Sequence, residues 1–439
     1  GILLNDATFA SQAKLVAGNA LNLQTENKLV LADSALLSAA TIVMNVDASM
    51  TLQGKVGTES SEGISNTLSV AATAGGDITL NAVVIADNLI TLEAGQSTSK
   101  DGGISAGLAA NLVTTEDASQ IQLTAGVYGG HISLDQSALT AGGALSTVTI
   151  SAVEGRFEQT QGVITAHKLS VTADNALTAN THVNTIDLTL LGSGDIALVN
   201  QGSLTLNRVT AADGAISINN WGALTVTNVQ AIGTSDRNDI NLTTFDTNSD
   251  AAVNADINIA ILKTTERGDI SIEAQGIVSR SAEDSDAIVA DQLIIKAMAP
   301  IVLNTQVNAV SIQTTLPGDV TLQQGNRNLR VFDTLLLNGS FVLNAAAAVT
   351  VDSIIIASNK AARDVTITAV DNIAVNSLVA GVYLEVGEVR TIQDSAGNDL
   401  ILTSVGSAGI VTLTSTAGAV VEGSADADVD IVAKRLNVS

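Results

Sequence analysis

Two interleaved series of short apolar segments recur every 20 residues in the middle of this chain, and that period narrows the possible folds more than any other property. Gly194 and Gly214 open equivalent segments, as do Gly202 and Gly222. The unit is five residues long: Gly or a polar residue, a small or acidic residue, then apolar, Thr/Ser/Ala/Asn, apolar. It stands as Gly76-Asp77-Ile78-Thr79-Leu80, Gly130-His131-Ile132-Ser133-Leu134, Gly194-Asp195-Ile196-Ala197-Leu198, Gly268-Asp269-Ile270-Ser271-Ile272 and Gly318-Asp319-Val320-Thr321-Leu322. Alternation with period two gives a strand one apolar and one polar face. The β-branched Thr, Val and Ile favour strand over helix. A hairpin meander has no such fixed return. A chain that comes back to the same place every 20 residues or so, offset by about 4.8 Å, is a parallel β-solenoid whose coils stack. In it Ile196, Leu198, Leu204 and Leu206 point inward above Ile216, Ile218, Leu224 and Val226, and their polar alternates face solvent.

A longer period is superimposed on the coil. Residues 163–198 align without gaps to 287–322 at an offset of 124, carrying Asn180-Thr181-His182-Val183-Asn184 onto Asn304-Thr305-Gln306-Val307-Asn308. Six coils of about 20.7 residues make such a unit. Residues 214–243 align to 339–368 at 125, and 277–293 to 420–436 at 143. The last offset exceeds the first by about one coil, and inserting a whole coil preserves every stacking contact. The chain thus reads as one continuous all-β solenoid, 1–439, with these repeats in 163–439. At roughly 20 residues per coil it makes about 22 coils and an elongated rod of about 100 Å. Residues 1–160 are less regular, and the polar, glycine-rich stretches at 57–63 and 95–103 read as protruding loops.

Composition sets further limits. Hydrophobic residues are 46% of the chain but aromatics only 2%, so the core is built from Val, Ile, Leu and Ala. With 44 acidic and 19 basic residues the net charge is −25. Nucleic acid and anionic membrane are therefore not expected partners, since both need a Lys/Arg footprint. The absence of cysteine excludes disulfides and thiolate zinc sites. No apolar run reaches about 18 residues, so no transmembrane helix or membrane insertion is expected. The opening Gly1-Ile2-Leu3-Leu4-Asn5-Asp6 lacks the basic and apolar regions of a signal peptide and has no initiating Met, so the chain reads as a piece of a longer protein.

Candidate sites each have a structural counterpart reading. Arg267-Gly268-Asp269 spells an integrin-recognition tripeptide, yet Gly268-Asp269 is also this coil's copy of the repeat opening, and the motif has a high false-positive rate. Asp426, Asp428 and Asp430 share one face of an alternating segment, where Ca²⁺ would relieve their repulsion. Without a Gly-Gly-x-Gly-x-Asp repeat, a solvated acidic stripe is the preferred reading there, as it is for Glu283, Asp284 and Asp286. His131, His167 and His182 are the only histidines, and His167 and His182 align with Asp291 and Gln306, as exchangeable surface positions would. Trp221 sits at a turn aligned with Ala346, which favours a cap on the coil edge over a sugar-stacking platform. Acid–base catalysis needs titratable groups converging in a cleft. Here the acids are spread along turns, so neither catalytic nor cofactor-binding residues are assigned.

The Gly-Asp-Ile-Thr-Leu-type strands, the 20-residue period, the lack of Cys and the acidic, aromatic-poor composition resemble the repeat regions of large exported bacterial proteins of the filamentous-haemagglutinin and autotransporter-passenger kind. The resemblance spans nearly the whole chain and rests on composition and period. It implies a right-handed parallel β-helix displayed outside the cell, at the bacterial surface. The function expected from it is structural: a stiff stalk segment holding an adhesive or toxic tip, or a component of an extracellular fibre. Its partners would be neighbouring repeats of the same protein, with end-to-end self-association. The alternative is an adhesin module gripping a host glycan or protein through the loops at 57–63 and 95–103. Polysaccharide lyases and hydrolases on this fold use clustered carboxylates beside Arg or Lys along a groove, a pattern that does not recur here, so an enzyme is not expected.

Overall fold

Where apolar and small polar residues alternate, a strand can bury one edge of its side chains and leave the other wet, and that is the geometry most of the described strands adopt. The structure, a computed structural model, describes residues 2–58, 67–95, 102–126, 128–135, 138–246, 255–265, 267–280, 288–298, 300–357, 363–381, 390–393, 399–402, 409–424 and 430–439. Among the described residues every regular element is a strand, and no helix is long and apolar enough to cross a membrane. The strands pair in parallel, in the manner of a β-solenoid. One pair differs: Arg390–Gln393 and Asp399–Leu402 run antiparallel, a hairpin that the periodicity does not announce. The chain divides into two compact units, Gly1–Ile218 and Asn219–Ser439.

In the first unit one inward column runs Ile42, Val70, Ile90, Ile121, Val148, Leu169, Ile186 and Leu206, each opposite the next across a parallel ladder. None is more than 1% exposed. Fully burying such a side chain is worth about 1.5–3 kcal/mol, so a column is a strong constraint on register. The residue spacing along it is not uniform. Val148 to Leu169 takes 21 residues and Leu169 to Ile186 only 17, but Ile90 to Ile121 takes 31. Strand interiors are dictated by the neighbours they stack on, while turns face solvent and absorb extra residues. The 20-residue coil is therefore a typical length about which the turns vary.

The second unit repeats the arrangement. Leu224, Ile257, Val278, Ile301, Val320, Phe341, Val365 and Val411 form a column in which every side chain is at most 1% exposed. Here the spacing ranges from 19 residues, Ile301 to Val320, to 46, Val365 to Val411, the interval that contains the antiparallel hairpin. Ile196, Leu198, Leu204, Leu206, Ile216, Ile218, Leu224 and Val226 are all buried in their respective units.

Strands separated by 124 residues coincide. Ile164–Ala173 corresponds to Ile288–Ala297, and Leu177–Ser193 begins 124 residues before Ile301–Thr314. Ile164 faces Thr181 in one unit as Ile288 faces Thr305 in the other. The 125-residue offset carries Gly214 onto Gly339, and both have positive φ, 153° and 135°. A Cβ at either would come within 1.8–1.9 Å of the carbonyl oxygen of Gly194 or Gly318 in the preceding coil, so only glycine fits.

Candidate functional site

The acidic residue of the repeat opening caps a coil corner. Asp77 Oδ1 accepts from Gly103 N at 2.9 Å, Asp195 Oδ1 from Ala215 N at 2.9 Å, Asp256 Oδ1 from Ile277 N at 2.9 Å, and Asp319 Oδ1 from Ser340 N at 2.8 Å. Asp364 does the same for Ile410 N at 2.8 Å, and asparagine replaces aspartate at Asn372, which accepts from Ala419 N at 2.8 Å. In each case one coil's side chain satisfies a backbone donor of the next, where the turn leaves that donor outside the strand ladder.

The tripeptide Arg267-Gly268-Asp269 lies in this series. Asp269 N donates to Asp239 Oδ1 at 2.9 Å, and Asp269 Oδ1 accepts from Gln292 N at 3.1 Å. Arg267 is exposed, Gly268 is buried and Asp269 is half-buried. Burial, then the neighbouring Asp239 charge, pushes the Asp269 carboxyl above its ordinary value, with Asp291 and Asp236 adding to the rise and the Gln292 N–H opposing it. The tripeptide thus presents a solvent-facing guanidinium but a carboxylate engaged between coils.

Of the three aspartates considered for calcium, Asp426 and Asp428 lie outside the described residues, as do Glu283, Asp284 and Asp286. Asp430 is half-buried. Its carbonyl oxygen accepts from Leu378 N at 2.6 Å, and its Oδ1 has no hydrogen-bond partner among the described residues. Among the described residues, no three His, Cys, Asp or Glu side chains are grouped so as to hold a metal ion. Of the two glycine-rich stretches, Gly57, Thr58, Gly95 and Gly102 are described and buried. Gly103 is half-buried, and the stretches between lie outside the described residues.

The histidines are held by different contacts. His131 occupies the place of the repeat aspartate, and its Nδ1 accepts from Arg156 N at 3.1 Å, so imidazole replaces carboxylate in the corner series. His167 N donates to Ser146 Oγ at 3.1 Å, and exposed His182 lies beside Gly202. Trp221 is half-exposed and stacks on Phe245, ring centroids 4.9 Å apart at 27°. That contact occupies one ring face, as a cap at the coil edge does.

A buried polar corner went unread in the sequence. In the first unit Asn200, fully buried, accepts through Oδ1 from Thr181 Oγ1 at 2.8 Å and from Val183 N at 3.0 Å. In the second unit Gln324 Oε1 accepts from Thr305 Oγ1 at 2.8 Å and from Val307 N at 3.4 Å, 124 residues later in each case. The aligned Asn-Thr-x-Val-Asn motifs held the signal. They did not say that the threonine turns inward, because alternation alone places polar residues outside.

Among the grooves on the first unit are two lined by described residues. One, of about 670 Å³, lies by Lys14, Asp33, Gly54 and Lys55. The other, about 530 Å³, lies over Gly102, Gly103, Gly129 and Gly130, between Asp77 and His131. In comparisons with known proteins, no family model, no curated protein and no solved structure matches the chain. The fold and these contacts therefore stand as the basis for a functional reading.

Proposed function

We propose that this chain is a structural segment of an exported bacterial surface protein, of the filamentous-haemagglutinin or autotransporter-passenger kind, acting as a stiff stalk or as part of an extracellular fibre. The observation that carries this reading is the coil corner. In both units side-chain acceptors of several repeat openings bond the backbone of the next coil, so the chemistry-bearing groups hold coil to coil. Parallel ladders and dry aliphatic columns then add their resistance repeat by repeat, neighbouring repeats being one another's partners. The net charge of −25 keeps such a segment soluble outside the cell.

Antibodies raised against the purified chain test the location: they should label intact, unpermeabilised source cells, and labelling only after permeabilisation would overturn the export reading. Pulling single molecules from both ends tests the mechanics. Resistance well above that of an unstructured polypeptide is expected, and extension as a featureless coil would sink the load-bearing reading.

A further inference from the structure

The corner series does not carry an aspartate in every coil of the first unit. The register of Ile78, Ile104, Ile132 and Phe157 puts Asp77, Gly103, His131 and Arg156 at the same position in successive coils. Two residues on, Thr79, Ser105, Ser133 and Glu158 align on the outward face. Gly103 contributes no side chain, so Asp77 and His131 stand on either side of a vacancy, about 10 Å apart along the stack by two strand spacings. The vacancy is built in. A Cβ at Gly103 would lie 2.7 Å from the His131 carbonyl oxygen, one at Gly102 would lie 2.3 Å from Gly95 Cα, and one at Gly130 would lie 2.3 Å from the Gly102 carbonyl oxygen. The result is the groove of about 530 Å³, within the roughly 300–1,000 Å³ of small-molecule sites.

Each wall has a definite hydrogen-bonding sense. Asp77 commits Oδ1 to Gly103 N and keeps Oδ2 as an acceptor. His131 accepts through Nδ1, which leaves Nε2 to carry the N–H as a donor. Arg156 spends Nε on Glu158, 3.2 Å away, and keeps its terminal nitrogens as donors. The hydroxyls of Thr79, Ser105 and Ser133 donate and accept between these walls. An apolar ligand gains little on a floor of glycine backbone. A polyanion is opposed by Asp77, Glu158 and the net charge of the chain. A carboxylate facing donors across a row of hydroxyls instead matches the vicinal hydroxyls of a sugar ring. We propose that the notch lined by Asp77, Thr79, Ser105, Ser133, His131 and Arg156 binds one hexose unit of a neutral glycan. This goes beyond the load-bearing reading and does not depend on it.

The test titrates the intact chain with glucose, galactose, mannose and N-acetylglucosamine, as free sugars and as tetrasaccharides, with inorganic phosphate alongside. Saturable binding of at least one sugar is expected, at roughly millimolar Kd for the free form. His131→Asn keeps a corner acceptor, as Asn372 does for Ala419 N, and removes the Nε2 donor. It should weaken binding about fivefold while leaving the thermal melt unchanged. Ser105→Leu, at an exposed position, fills the notch and should abolish binding. The proposal is overturned if no sugar binds saturably, if phosphate binds in preference, or if folded His131→Asn binds as tightly as the parent chain.

Discussion

Asp256 shows what the repeat carboxylate contributes by itself. Its Oδ1 takes the Ile277 N–H at 2.9 Å in a half-buried corner, so Asp256→Ala should cost about 1–2 kcal/mol in urea unfolding, and Asp256→Asn should recover most of it. Equal losses in both variants would show that charge, not the acceptor, matters. Asp269 behaves differently because burial and Asp239 raise its carboxyl above the ordinary range. The folded chain then holds this proton more tightly than the unfolded chain. Its contribution to stability is fully present below the ordinary carboxyl value of 3.8 and is lost as pH rises through the raised folded value. Asp269→Asn removes that penalty and keeps an acceptor for Gln292. At neutral pH the variant should unfold at higher urea than the parent chain, and the gap should close near pH 4. A gap independent of pH would contradict the assignment. The alternation that marks Asp269 as an outward residue does not reveal this, because its neighbours Asp239 and Asp291 come from other coils.

At the scale of an element, the bend between strands is where buried polarity concentrates. Thr181, Asn200, Thr305 and Gln324 are all nearly inaccessible, and each pair bonds across adjacent coils. Asn200→Leu leaves Val183 N without its acceptor and Thr181 Oγ1 reliant on the Val199 carbonyl oxygen at 3.2 Å, and should lower stability by about 2–4 kcal/mol, measured by denaturant midpoint. In the double variant Asn200→Leu with Thr181→Val, part of that loss should return, since the hydroxyl deprived of its side-chain acceptor is gone. Strictly additive losses would mean that the two side chains do not act as a pair. The sequence makes positions 124 residues apart equivalent, and the strands coincide accordingly. Whether an equivalent position is inside depends on where the strand bends, which a period-two pattern cannot express.

On the scale of the whole molecule, the 124-residue offset becomes a test of register. Removing residues 180–303 joins Ala179 to Asn304 and sets Thr305 where Thr181 now faces Ile164. That chain should fold with an all-strand circular dichroism spectrum. Removing only 180–293 places a strand from another side of the coil at the same point, exposes inward aliphatics and should aggregate. If both chains fold equally well, the two segments are not interchangeable copies and the offset carries no structural meaning.

Parallel stacking, the identity of the inward aliphatic residues and the equivalence of distant segments all follow from the sequence by itself. They depend on alternation and period, which are local properties repeated many times. The tertiary structure decided the rest: coil spacings from 17 to 46 residues, the antiparallel hairpin, the inter-coil bonds of the repeat aspartates, and the notch at Gly103. These depend on which residue of one coil meets which residue of the next. Once turns of unequal length separate the strands, that pairing is set by stacking of the aliphatic columns and no longer by distance along the chain.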